Sequence, residues 1–313
     1  MGALLDNNIN HNSQPGIHYS QEDVIMAELK YAKYVVKNMV AENKWGGEGI
    51  SLSKVPDGLV PPEARMSLAV TAVRKPYMFH DKIHKHVFTE FFYFFGSGHC
   101  MNDFDAEVEF SFGEQAEKQT INTPSIVIAP PLVYHCPLNF AKIQKPIYCL
   151  EAFLTTNRTE IKLEEDKDTN VIKVPELNYK RWVIKDAVAG NKWGGEGISL
   201  SKVSDDVMPP NSKIRLGLTI VRKPYMFHDK VHKHQFSELF YFFGSNPMDM
   251  KEFDAEVEFS FGEESEKHII TEPTIIVVPP GIYHCPLNFA KVGKPIYCLE
   301  AFITSNYAST NLQ

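Results

Sequence analysis

Hydrophobic and polar residues alternate along this chain in short runs punctuated by glycine and proline. AEVEFSF, from Ala106 to Phe112, switches between polar and apolar at every step, the period-two signature of a half-buried strand. PSIVIAPP from Pro124 and PTIIVVPP from Pro273 are brief β-branched runs that stop at proline. EFFYFFG, from Glu90 to Gly96, is aromatic from Phe91 to Phe95, too short for a typical helix and closed by glycine. Many short strands with turn signals between them predict an all-β sandwich or barrel. One segment reads otherwise: SQEDVIMAELKYAKYVVKNM predicts an N-terminal helix, capped by Ser20 with Glu22 and Asp23 in its first turn.

The runs occur twice. NKWGGEGISLSKV stands at Asn43 and Asn191, VRKPYMFHDK at Val73 and Val221, FDAEVEFSFGE at Phe104 and Phe253, YHCPLNFAK at Tyr134 and Tyr283, and KPIYCLEAF at Lys145 and Lys294. An offset of 148 to 149 residues is too long for a solenoid repeat and has the size of a domain, so the chain duplicated a domain. The offset grows by one where GSGHCMNDF faces GSNPMDMKEF, a loop composition that tolerates an insertion. The expected organisation is an N-terminal extension over 1–32, a first barrel over 33–155, a linker over 156–180, a second barrel over 181–304 and a frayed tail over 305–313.

Composition narrows the function classes. With 313 residues, 43% apolar residues and a net charge of −7, the chain has a globular composition with an acidic tilt, which argues against nucleic-acid binding. No apolar run reaches the ~18 residues of a membrane span. The N-terminus shows neither a basic start nor an apolar core of a secretion signal, and five cysteines without CxxC spacing suggest buried thiols; both favour a cytoplasmic location.

The candidate chemistry lies in HKHVFTE and HKHQFSE. On a strand, His84 and His86 face one side, and Glu90 shares their parity. His135 follows the proline turn PPLVYH. The second copy offers His232, His234, Glu238 and His284. Three imidazoles and a carboxylate suit a divalent transition metal. The same parity places Phe92 and Phe94 beside Glu90, and Phe240 and Phe242 beside Glu238, as pocket wall or ordinary barrel core. His80 and His228 could shuttle protons or lie on a loop. Arg74 and Arg222 could clamp a substrate carboxylate or pair with surface acids such as Glu107 and Glu256. Tyr77, Tyr225, Glu48 and Glu196 are weaker candidates, and the glycines of GGEGIS read as a bulge or strand start rather than a phosphate loop.

This spacing resembles the two motifs of the cupin superfamily: glycine, five residues, HxH, three or four residues, glutamate, six residues, glycine; then glycine, five residues, PxGxxHxxxN. HKHVFTEFFYFFG ends at Gly96 and HKHQFSELFYFFG at Gly244. PPGIYHCPLN, from Pro279 to Asn288, keeps the second motif from its proline onward, while PPLVYHCPLN has Leu132 in the glycine's place. Met78 and Met226 replace the first glycine, Pro124 and Pro273 the leading glycine of the second motif, and only five residues separate Glu90 from Gly96. These departures touch turns and spare the ligand types. The resemblance implies a bicupin: tandem antiparallel β-barrels of double-stranded β-helix or jelly-roll type, each with a metal inside, up to two per chain. Iron is preferred among iron, manganese, nickel and zinc. It further implies a homodimer acting on a small-molecule substrate, first as a dioxygenase-type oxidoreductase. A manganese or zinc isomerase or decarboxylase, and a non-catalytic small-molecule-binding cupin, are the alternatives.

Overall fold

A computed structural model describes residues 29–44, 46–56, 58–60, 66–155, 160–165, 178–191, 195–209, 212–304 and 308–312. Among these residues the regular structure is strand, with only short 3-10 turns between. Each repeat builds two antiparallel sheets that face each other in the jelly-roll manner, rather than one closed sheet. In the first repeat, the larger sheet runs in the order Val183–Lys185, Ser125–Ala129, Glu90–Phe95, Ile147–Leu154, Met66–Val73, Glu48–Ser51, Val40–Glu42. The smaller one runs Ile161–Lys162, His84–Lys85, His135–Ile143, Ala106–Phe112, Glu117–Ile121, with Tyr77–His80 also on His135–Ile143. The second repeat reproduces both orders.

The larger sheets explain why EFFYFF does not alternate. Every residue of Glu90–Phe95 is buried. Glu90, Phe92 and Phe94 look into the first barrel, where Phe92 packs on Phe110 at 5.3 Å between ring centres. Phe91, Tyr93 and Phe95 look the other way, into a hydrophobic layer shared with Leu239, Tyr241 and Phe243 of the second repeat. Two sheets thus meet back to back inside one chain. Four buried tyrosines lace the layer reciprocally: Tyr148 donates to the Gly244 carbonyl and Tyr297 to the Gly96 carbonyl, both at 2.8 Å, while Tyr93 reaches Leu216 and Tyr241 reaches Leu68. A buried hydroxyl needs such a partner, and these bonds set the register of one unit on the other.

The repeats also exchange edges. Val35–Lys37 pairs with Thr274–Val278 of the second barrel, Val36 opposite Ile275. Val183–Lys185 pairs in turn with Ser125–Ala129 of the first. The helix predicted from Ser20 is therefore corrected over its described part. Residues up to 28 lie outside the described region; beyond them the chain makes a 3-10 turn at Ala32–Tyr34 and then this strand. The β-branched VVK sequence finds an open sheet edge there, and pairing outweighs local helix propensity. Tyr31 stacks on Phe261 at 5.5 Å and Tyr34 packs tilted against it at 6.1 Å, and Glu266 accepts from the Lys30 and Tyr31 amides.

Two further expectations change. In the segment expected as linker, Ile161–Lys162 pairs with Lys85 and His84. In the tail expected to fray, Thr310–Asn311 pairs with Lys233 and His232. The two straps pair at equivalent positions, 149 residues apart, although their sequences, IKL and TNL, share only the leucine. The short strand carrying His84, or His232 in the second repeat, would otherwise expose an unpaired edge, which the strap covers.

Candidate metal centres

Hydrogen bonding fixes all six imidazoles in the same sense. In the first barrel, Nδ1 of His84, His86 and His135 lies 3.0, 2.9 and 2.9 Å from the carbonyls of Lys82, Phe88 and Val133. In the second, Nδ1 of His232, His234 and His284 lies 2.9, 3.1 and 3.0 Å from the carbonyls of Lys230, Ala308 and Ile282. A carbonyl only accepts, so each Nδ1 carries a proton and each Nε2 is the atom turned toward the cluster, where in a neutral ring it offers the lone pair that a metal ligand requires; His86 Nε2 lies 3.1 Å from Glu90 Oε2 in hydrogen-bonding geometry. His84 and His135 are direct register partners, as are His232 and His284. Each predicted quartet converges: His84, His86, Glu90 and His135, and again His232, His234, Glu238 and His284, each offer ligand atoms within 4.8 Å of one another, all on buried residues.

The spacing inside each quartet fits a cation. Nε2 of His135 lies 3.2 Å, and Nε2 of His284 2.9 Å, from a carboxylate oxygen, yet neither makes an aligned hydrogen bond. A carboxylate buried among imidazole Nε2 atoms needs a positive charge beside it, supplied by a proton on a facing ring or by a metal cation held between the same atoms. Burial chiefly pulls His84 and His232 down to about 4, so both stay neutral. Burial pushes Glu90 and Glu238 up, but contacts with His135 and His86, and with His234 and His284, outweigh it. Glu90 ends well below its usual range and Glu238 at about 2.

The other candidates separate. His80 and His228 lie beside the outermost ligand, 5.7 Å from His84 and 5.9 Å from His232 between ring centres. Arg74 lies at the far end of its sheet. Glu90 pairs with Phe153 and Phe153 with Ser67, whereas Val73 pairs with Ile147, six residues or about 20 Å along the strand. Its guanidinium pairs with Glu48 at 2.8 Å and donates to the Pro247 and Met248 carbonyls of the second repeat. Arg222 repeats this with Glu196 at 2.8 Å and the His99 carbonyl. The arginines therefore join the two repeats, and Glu48 and Glu196 are their partners, in place of Glu107 and Glu256. Glu107 and Glu256 pair instead with Lys142 and Lys291. Gly47 is set by close approach, since a Cβ there would strike the Ala72 carbonyl. Tyr77 and Tyr225 pack on Phe140 and Phe289. Cys136 and Cys285, next to a ligand, are buried thiols pushed far up by burial and stand outside the quartets.

Sequence reasoning missed Glu151 and Glu300. Each sits within IYCLEAF, in the middle of a buried central strand. Glu300 is opposite Phe240 and shares the inward face with Ile296 and Cys298. His228 Nε2 lies 3.3 Å from Glu300 Oε1. Burial, then the neighbouring Glu238, push the Glu300 carboxyl up against the pull of His228. A glutamate in an otherwise apolar core strand, kept in both copies of the repeat, was the signal available.

No family model and no curated protein matches this chain. Solved structures do. Oxalate decarboxylase from Lactobacillus farciminis in complex with formate shares 11% identity over 87% of this chain and 86% of its own, at a TM-score of 0.52. A mutant of Bacillus subtilis oxalate decarboxylase shares 13% over 87% and 77%, at 0.51. Vicilin from hazelnut, Corylus avellana, shares 7% over 90% and 88%, at 0.55. With paired jelly-roll sheets in each repeat, a buried His/Glu cluster in each, and likeness to these two-barrel proteins along nearly its whole length, the chain has the bicupin fold.

Proposed function

We propose that the protein is a metal-dependent bicupin enzyme acting on a small organic molecule, built of barrels over 33–155 and 181–304. The carrying observation is the pair of buried quartets whose Nε2 atoms and carboxylate converge while every Nδ1 is tied to a carbonyl. His84, His86, Glu90 and His135 would hold one divalent transition metal, and His232, His234, Glu238 and His284 a second. Iron is preferred, with manganese, nickel and zinc as the other fits. Bound there, the metal would supply Lewis-acid and, as iron, dioxygen chemistry.

The leading reaction is dioxygenase-type oxidation. Its support is the wall of each pocket: Phe92 and Phe94 lie parallel at 6.3 Å, Phe240 and Phe242 at 6.2 Å, and the arginines stand at the far end of the sheet. Such a wall excludes water and sharpens the electrostatics of a bound ligand. Isomerase or decarboxylase chemistry is the second reading. The His228–Glu300 pair favours it, as an acid–base group beside the ligands. The Mn(II) centres described for the Bacillus oxalate decarboxylase are in keeping with it. Oxygen uptake by iron-loaded protein across a panel of small organic substrates separates the readings. Uptake coupled to turnover supports the dioxygenase; turnover unchanged under anaerobic conditions supports the second. Metal-loaded protein that turns over nothing is a binding cupin.

Cytoplasmic location and a homodimer complete the proposal. Five free thiols, four of them buried, suit a reducing compartment. The two larger sheets already cover each other within the chain, so a homodimer would use another face; a molar mass near 71 kDa by light scattering supports it and one near 35.6 kDa does not.

A further inference from the structure

The two quartets differ in one contact. In the first barrel the His86 Nδ1 proton goes to the Phe88 carbonyl at 2.9 Å, two residues along the chain. In the second the His234 Nδ1 proton goes to the Ala308 carbonyl at 3.1 Å, 74 residues away. The rings differ in pose as well. His86 lies 5.9 Å from His84 between ring centres, whereas His234 lies 4.9 Å from His232. The two copies therefore hold the same ligand by different means.

Ala308 opens the C-terminal strap, residues 308–312. Every residue of the strap is exposed, whereas His234 is buried. Main-chain pairing holds it: Thr310 lies opposite Lys233, Asn311 opposite His232, and the Leu312 amide donates to the Val231 carbonyl at 2.9 Å. Between strap and strand lies a cavity of about 330 Å³, lined by Lys233, Gln235, Phe236, Thr304, Ala308 and Thr310. Side-chain packing thus adds little to the hold, and the backbone ladder decides where the Ala308 carbonyl stands.

A hydrogen bond to the far nitrogen of a ligand imidazole fixes its tautomer and orientation, and losing it typically costs about 10–100-fold in metal affinity. The Phe88 carbonyl travels with His86, being two residues on. The Ala308 carbonyl can depart without His234. We infer that the C-terminal strap is a positioning element for the second metal centre, its Ala308 carbonyl orienting His234, and that the first centre does not depend on its own strap in this way. This rests on the reading of the quartets as metal sites. Release of the strap then lowers the affinity of one centre and spares the other.

The test is Mn(II) titration of the full chain, read by the paramagnetic resonance of the free ion. His84→Ala protein keeps the second quartet alone and His232→Ala protein the first. Deleting residues 308–313 is expected to weaken binding about 10–100-fold in the His84→Ala background and to leave it unchanged in the His232→Ala background. The unchanged arm also shows that the fold survives the deletion, because the two barrels share sheet edges. Leu312→Pro removes the bond to Val231 without shortening the chain and should weaken the second site in the same direction. Leu163→Pro removes the matching bond to the Ile83 carbonyl and should leave the first site unchanged. A second site unaffected by both the deletion and Leu312→Pro overturns the inference. Equal weakening of the two sites by the deletion, or by the paired proline variants, overturns it as well. Wild-type protein that takes up no Mn(II) defeats the metal-site reading itself, and the inference with it.

Discussion

At the scale of single residues, the quartets constrain the pH response. Unfolded histidine takes its proton near 6.5, whereas His84 and His232 in the folded barrels stay neutral down to about 4. Between those values the unfolded chain binds more protons, so stability falls as pH drops through the window. Glu238, held at about 2 against an ordinary 4.5, adds a loss that begins below 4.5. His234 works the other way, because its contact with Glu238 outweighs its burial and raises its pKa. For metal-free protein the unfolding midpoint should therefore hold from pH 8 to 7 and decline from about 6.5 downward; a midpoint flat between pH 7 and 5 contradicts this. The motif glycines make a second residue-scale prediction. A Cβ at Gly244 would collide with the Glu252 carbonyl, and one at Gly96 with the Asp103 carbonyl. Gly244→Ala should cost about 1–3 kcal/mol in denaturant unfolding. Leu132, where the resemblance expects glycine, adopts φ +62° beside +79° for its counterpart Gly281, so the turn is kept in left-handed form without the glycine.

At the scale of elements, the arginines test which end of the sheet they serve. Arg74 ties Glu48 to a loop of the other repeat, and Glu48 also accepts from the Met250 amide at 2.8 Å. Arg74→Ala should lower stability by about 2 kcal/mol while leaving metal content unchanged; a loss of metal would place the arginine at the site. Strand type and the duplicated motifs were legible because a strand alternates faces at every residue, which put Glu90, Phe92 and Phe94 on one side. The expected single strand through His84, His86 and Glu90 is corrected, since His84–Lys85 lies in the smaller sheet, Glu90–Phe95 in the larger, and the bend between them brings the ligands together. What the sequence hid depended on partners distant along the chain. The pairing of Val35–Lys37 with Thr274–Val278, the Arg74–Glu48 bridge and the straps over His84 and His232 all join segments with no local signal for each other. Glu300 stood out only as a glutamate in an apolar run kept in both copies, and which face of the strand it takes follows only once the strand's neighbours are placed.

For the molecule as a whole, the exchanged edges make each barrel depend on the other half of the chain. Residues 178–313 expressed alone lack the strand that completes their larger sheet and expose its aromatic back face. They should be insoluble alone and co-purify with residues 1–177 when the halves are co-expressed; a soluble, monomeric second half would contradict the exchange. The central claim is that two equivalent quartets bind metal. The most direct measurement is metal content per chain by plasma mass spectrometry, on tag-free protein purified without chelators and reconstituted with Fe(II) or Mn(II), in wild type, His84→Ala, His232→Ala and the double variant. The account predicts two equivalents, one, one and none. No bound metal in the reconstituted wild type, or a content unchanged by the double variant, would contradict it.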